Sequence, residues 1–266
     1  MVGEISTGQR PSGARRRARR AVIAGALTVG LAALAALPAA AAAGLPRGID
    51  VSRFQGGIDW PAVAGTKVSF VFAQASRGSG DDCLVRRGRC GADNFYARNL
   101  AGAVAVGLPV GPYHRAFASG RTRKLAKDDA RREARVFSRA VEEAGAFDLR
   151  PVLDVESPFT RLNAERLRLW IRTWLERVER KLGVRPMIYT NATSWSATGD
   201  TLRFARRGYR LWVANFGVRS PLVPAANWAG RGWSVWQFTS TGSVRGIEGS
   251  VDKNKLGVPL GRIEAR

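Results

Sequence analysis

Two carboxylates lie two positions apart in Pro151-Val-Leu-Asp-Val-Glu-Ser157. If this apolar stretch is a strand, Asp154 and Glu156 leave it on the same face. Val152, Leu153 and Val155 around them put the pair at the boundary of a core. Two acids held close at such a boundary have their pKa values pushed apart, because burial and like-charge repulsion disfavour ionising both. A carboxylic acid that keeps its proton beside an ionised partner is what cleavage of a glycosidic bond requires. One group protonates the leaving oxygen, and the other stabilises or attacks the oxocarbenium-like centre. Taken alone, the pair reads more readily as salt-bridge partners of the chain's many arginines.

Other chemistries are poorly supplied. His114 is the only histidine, and Cys83 and Cys90 are the only cysteines. Seven positions apart and flanked by Gly80, Gly88 and Gly91, the cysteines read as a local disulfide in an exported protein, with a zinc pair as the alternative. A Ser-His-Asp centre needs a nucleophile in a strained turn, and no Gly-x-Ser-x-Gly is present. His114 is therefore expected to line the cleft as a hydrogen-bonding group near the end of an interior strand. No metal and no cofactor are expected, and acid–base work falls to carboxylates.

The elements that would position these residues recur as helix, glycine stop, proline and short apolar strand. Asn94–Val106 leads through Gly107 into Leu108-Pro-Val-Gly-Pro-Tyr-His114, and Lys124–Ala144 through Gly145 into Arg150–Glu156. In the third unit Leu167, Ile171, Trp174, Leu175, Val178 and Leu182 fall on one helical face before Gly183 and Val184-Arg-Pro-Met-Ile-Tyr-Thr190. Further strands are expected at Gly48–Ser52, Ser69–Ala75, Tyr209–Ala214, Ser234–Phe238 and Gly249–Asp252. Strands alternating with helices predict a mainly parallel sheet of the α/β class. Eight of them fit a single TIM-like β/α barrel with reduced helical cover toward the C-terminus. The rival is an open doubly wound sheet, disfavoured by the absence of a glycine-rich phosphate loop after the first strand. In a barrel, function gathers at the C-terminal ends of the strands. The polar residues there are Asp50, Gln74, His114, Asp154, Glu156, Tyr189, Asn215, Gln237 and Asp252.

The N-terminus reads differently. Arg10, Arg15, Arg16, Arg17, Arg19 and Arg20 precede an apolar run from Ala21 to Ala36, then Pro38 and the tract Ala39–Ala43. This order of basic, apolar and small residues is that of a secretory signal peptide over residues 1–43. A membrane anchor is the alternative, and Arg19-Arg20 also hints at twin-arginine export. Residues 44–266 then form one domain, secreted, with the cell wall as a further location, and touching a membrane only through its leader. The full chain has a formal net charge of +22, and about +17 would remain after cleavage, which points to an anionic partner. For an exported chain, anionic wall polymers fit better than nucleic acid, for which no binding motif is present. Arginine outnumbers lysine heavily, and a GC-rich genome would also produce much of that bias.

Context narrows the reading of the two acids. Gly48-Ile-Asp-Val-Ser52 with Gln55-Gly-Gly-Ile-Asp-Trp60 resembles the opening of family 25 glycoside hydrolases, the muramidase-type lysozymes. Phe70-Val-Phe-Ala-Gln-Ala-Ser76, Gly111-Pro-Tyr-His114, Pro151–Glu156, Pro186-Met-Ile-Tyr-Thr190, Leu211-Trp-Val-Ala214, Trp236-Gln237 and Val251-Asp-Lys-Asn254 come next, in that family's order. The resemblance implies a flattened β/α barrel that hydrolyses the β-1,4 link after N-acetylmuramic acid in peptidoglycan, and the chain is separately expected to be a monomer. It implies Glu156 as general acid and Asp154 as the carboxylate that stabilises the transition state or orients the 2-acetamido group. Asp50 and Asp252 would be further acids of the cleft. Tyr113, Tyr189 and Trp212 would face sugar, although each could be barrel core, and Gln237 would join them on the substrate. One stretch departs from the pattern. Where the family has a Lys-Ala-Thr-Glu-Gly-like segment, this chain has Gln74-Ala-Ser-Arg-Gly78, so Gln74 and Arg77 change the charge expected at the substrate. A non-catalytic wall-binding protein on the same barrel is the competing function.

Overall fold

A computed structural model of the chain describes residues 45–80 and 91–266. The leader expected over residues 1–43 and the expected Cys83–Cys90 bridge lie outside the described residues.

Eight strands close into a barrel. They are β1 (Arg47–Val51), β2 (Val68–Arg77), β4 (Val110–Arg115), β5 (Val152–Asp154), β6 (Met187–Thr190), β7 (Leu211–Ala214), β8 (Val235–Gly242) and β9 (Val251–Leu256), with the two-residue β3 (Gly91–Ala92) on the far side of β2. Parallel pairing runs from β1 through β2, β4, β5, β6 and β7 to β8. β9 closes the ring antiparallel to both β8 and β1. The barrel is therefore mixed, and all eight segments expected from sequence are strands in it.

The helices pack outside. After the single turn of α1 (Trp60–Ala64) come the long ones, α2 (Tyr96–Ala105), α3 (Arg123–Ala144) and α4 (Ala164–Leu182), with Thr122 capping the start of α3 and Asn163 that of α4. Gly183 ends α4 at φ +71°, a conformation that costs a side-chain-bearing residue free energy. The expected face of α4 is the buried one, with Leu167, Ile171, Trp174, Leu175 and Val178 against the barrel. Later connections are short: α5 (Ala192–Ser196), α6 (Arg203–Arg206) and α7 (Pro224–Ala229). Helical cover is thin there, as expected.

Strand alternation makes two cores. Phe70, Phe72, Val152, Met187, Trp212, Val235 and Leu256 fill the barrel interior, while Val71, Ala73, Leu153, Ile188 and Val213 face the helices. In β2 the alternation is interrupted. Gln74 pairs with Tyr113 and Ser76 with the very next residue, His114, so Ala75 is an extra residue in β2. A bulge of this kind re-aims the side chains beyond it. It turns Ser76 outward and returns Arg77 to the mouth of the barrel, opposite Arg115.

Candidate active site

A cleft of about 210 Å³ opens at the end of the barrel where the parallel strands finish, and Asp50, Asp154, Glu156 and Asp252 all line it. Asp50 is near the end of β1 and Asp154 ends β5. Glu156 lies two residues past that strand. Asp252 is at the start of β9, and because β9 runs antiparallel its start meets the end of β1, with Asp50 and Asp252 directly paired.

The two sequence-adjacent acids share one guanidinium. Arg115 at the end of β4 places Nη1 3.3 Å from Asp154 Oδ1 and Nη2 3.3 Å from Glu156 Oε2. Its Nη1 also donates to the Glu156 carbonyl oxygen at 3.3 Å. Glu156 keeps 27% of its side-chain surface open, against 10% for Asp154, so Glu156 is the acid a ligand reaches. On its other side Glu156 Oε1 is 3.2 Å from the Tyr189 hydroxyl, which is also 2.8 Å from Gln237 Oε1. Gln237 Nε2 donates to both oxygens of Asp50, at 3.2 and 3.0 Å, and Asn254 Nδ2 donates to Asp50 Oδ2 at 2.8 Å. Trp212 Nε1 in turn donates to Asn254 Oδ1 at 2.8 Å. One connected network thus runs from the barrel core to Glu156.

Burial raises the pKa of Asp50 well above the usual carboxylate range, and the neighbouring Asp252 raises it further. Asp154 is also raised, chiefly by burial and against the opposing pull of Arg115, with Glu156 adding to the rise. Asp252 is raised by burial, moderated by its hydrogen bond with Asp50. Close, buried like charges of this kind cannot both ionise freely.

The raised Asp252 has a consequence for stability. A carboxyl whose folded pKa exceeds its unfolded one binds extra protons when folded, so its contribution is present at low pH and lost as pH rises through the folded value. Asp252→Asn removes that loss. Its Tm advantage over wild type is expected to grow by about 2–4 °C between pH 4 and pH 7, measured by thermal unfolding. A constant or shrinking difference contradicts the raised pKa.

His114 does not join the cleft. It is fully buried on the outer face of β4, stacked on Trp174 with ring centroids 5.5 Å apart. Its Nδ1 is 2.8 Å from Ser76 Oγ and its Nε2 is 2.7 Å from Glu133 Oε2 of α3. The expectation of a cleft-lining histidine is corrected by strand alternation: Tyr113 and Arg115 face in, and His114 between them faces out. Burial pushes its pKa down to about 3, so it is a neutral imidazole that accepts from Ser76 and donates to Glu133. His114→Phe is expected to cost about 1–3 kcal/mol of stability, because Glu133 loses a buried partner. The folded variant should keep its turnover within about twofold of wild type. A large loss of turnover without loss of stability would place His114 in the chemistry after all.

The remaining candidates are in the cleft. Tyr113, Tyr189, Trp212, Gln237, Gln74 and Arg77 all line it. Trp212 is also core, stacked on Phe72 at 4.6 Å and edge-on to Tyr189 at 4.8 Å. Gln74 Oε1 is buried with no hydrogen-bond partner. Arg115 and Asn254 are site residues that strand-end reasoning misses. Arg115 is within reach of the same alternation that puts Tyr113 inside. Asn254 falls two residues after Asp252, again on the same face. Among the described residues, no group of three or more His, Cys, Asp or Glu side chains is placed to hold a metal ion.

A closed β/α barrel with paired carboxylates at its mouth is the architecture of a glycoside hydrolase. Residues 49–247 match the family model for glycosyl hydrolases family 25, and the chain belongs to that family. It is 29% identical to Lysozyme M1 of Streptomyces globisporus over 225 residues, 82% of this chain and 70% of that protein. It is 32% identical over 223 residues to an uncharacterized protein, YegX, of Escherichia coli K12, covering 82% of this chain and 72% of that one. The crystal structure of the bacterial lysozyme from Streptomyces coelicolor superposes with a TM-score of 0.69 at 28% identity, over 83% of this chain and 96% of the other.

Proposed function

We propose that this glycoside hydrolase is an exported N-acetylmuramidase that cuts the β-1,4 bond between N-acetylmuramic acid and N-acetylglucosamine in peptidoglycan. The observation that carries the reading is the single guanidinium of Arg115 spanning Asp154 and Glu156 in a cleft that also holds Asp50 and Asp252. Glu156, the more open carboxyl, donates a proton to the leaving oxygen. Asp154, buried beside it, stabilises positive charge at the sugar or orients the acetamido group. Arg115 and Tyr189 hold one oxygen each of Glu156, which fixes its direction toward the bond. Asp50 and Asp252 form the opposite wall, and Tyr113 and Trp212 supply ring surface for sugar.

Export through residues 1–43 places the enzyme at the wall. Its positive charge draws it to anionic wall polymers, so wall binding is expected to weaken as salt rises. Activity is tested by incubating the purified protein with peptidoglycan sacculi and measuring new reducing ends. The reading requires their release at some pH between about 3 and 8. Binding to sacculi without any new ends would replace the enzyme with a wall-binding protein on the same barrel.

A further inference from the structure

Three guanidiniums approach the cleft, and two of them are matched. Arg53 Nε is 3.1 Å from Asp93 Oδ2, and Arg115 is held by Asp154 and Glu156. Arg77 makes no ion pair among the described residues, and its Nε is buried without a hydrogen-bond partner. Instead its guanidinium carbon lies 5.0 Å from the Phe117 ring centroid and 5.8 Å from that of Phe54. Ring faces attract a cation but accept its N–H groups only weakly. Burial, and then the like charges of Arg53 and Arg115, act against the positive charge of Arg77 and lower its pKa, with Tyr113 and Asp154 only partly offsetting them. A half-buried guanidinium with an unsatisfied Nε and no direct ion pair among the described residues gains from a ligand that supplies a close negative charge.

The backbone directs this cation to the cleft. Without the bulge at Ala75, simple alternation after Gln74 would point Arg77 away from the mouth. With it, Arg77 pairs with Arg115 across the β2–β4 ladder and lines the same cavity. Gln74 adds a buried, unpartnered Oε1 on the same strand, an acceptor for a sugar hydroxyl or acetamido N–H. A neutral glycan offers Arg77 only hydroxyl and acetamido oxygens, whereas a carboxylate supplies the opposite charge and matches the fork of a guanidinium with two parallel hydrogen bonds.

We infer that Arg77 is a carboxylate receptor that makes the cleft select muramic acid residues whose lactyl carboxyl is free over those whose lactyl group is capped as an amide or peptide. The inference rests on the proposed muramidase activity and names the substrate form it prefers. In this reading Arg77 is a specificity-determining residue and takes no part in bond cleavage.

The test uses peptide-free glycan strands, prepared by amidase treatment of peptidoglycan, and the same strands with their lactyl carboxyls converted to primary amides. Wild type is expected to show kcat/KM on the free-carboxyl strands roughly tenfold above that on the amidated strands, the size of one charge-assisted contact. Arg77→Gln should lose that preference, through a raised KM on the free-carboxyl strands. Arg77→Lys, which keeps a charge but not the fork, should retain part of the preference, and this separates charge from a packing defect. Equal rates on both polymers for wild type, or equal losses on both for Arg77→Gln, overturn the receptor. No cleavage of either polymer by wild type removes the muramidase reading itself, and the receptor with it.

Discussion

Replacing Glu156 by Gln is expected to lower kcat on peptidoglycan by about 10²–10⁴-fold, the range a positioned general acid contributes. The amide is nearly the same shape as the carboxyl. Its oxygen can still accept from Arg115 or from the Tyr189 hydroxyl, the two groups that hold Glu156 now. What it lacks is a proton to give to the leaving oxygen. Glu156 is partly open and sits beyond the end of β5, so the substitution leaves the barrel core untouched. The melting temperature should therefore stay close to that of wild type while turnover collapses. A variant with turnover within a few-fold of wild type would remove Glu156 from the acid role.

Trp212→Ala is expected to have the largest effect on stability, about 3–5 kcal/mol. Trp212 is almost fully buried inside the barrel, between Phe72 and Tyr189. It also orders the site, since its Nε1 holds Asn254, and Asn254 holds Asp50. The cavity left by alanine and the loss of that donor act together. Trp212→Phe separates them, because the ring partly refills the space while Asn254 Oδ1 loses its partner, at a cost of about 1–3 kcal/mol. Urea unfolding should place Trp212→Ala lowest, with Trp212→Phe between it and wild type. Equal stability of Trp212→Ala and wild type would mean that the interior stack does not hold the barrel.

Much of this architecture is readable from local pattern. Apolar runs with glycine and proline punctuation locate all eight barrel strands, and the spacing of Leu167, Ile171 and Trp174 gives the buried face of α4 correctly. The site residues Asp50, Asp154 and Glu156 come from their positions at strand ends. Asp252 reaches the cleft by a different route. Expected at the end of a parallel strand, it is in fact at the start of an antiparallel one, and both geometries put it at the same mouth. Strand direction in a closing strand is decided by long-range pairing, which local pattern does not carry.

His114 shows the opposite failure. A polar residue at a strand end is expected in the cleft, but the outer face of the barrel also accepts a polar side chain when a helix supplies its partner, as α3 does with Glu133. Arg115 escapes for the same reason, because its place beside Asp154 depends on the inward face that His114 does not share. Arg77 depends on a single extra residue in β2. A bulge leaves no periodic mark in ten residues, so the segment signals a change of charge without signalling where that charge points.

The ends of the products report directly which bond this cleft cuts. After digestion of purified peptidoglycan by wild type, the products are reduced with borohydride, hydrolysed and analysed for the reduced amino sugar. Muramitol, appearing with wild type and absent with Glu156→Gln, is the predicted result. Glucosaminitol in its place, or no reduced amino sugar above the undigested control, would contradict the assignment.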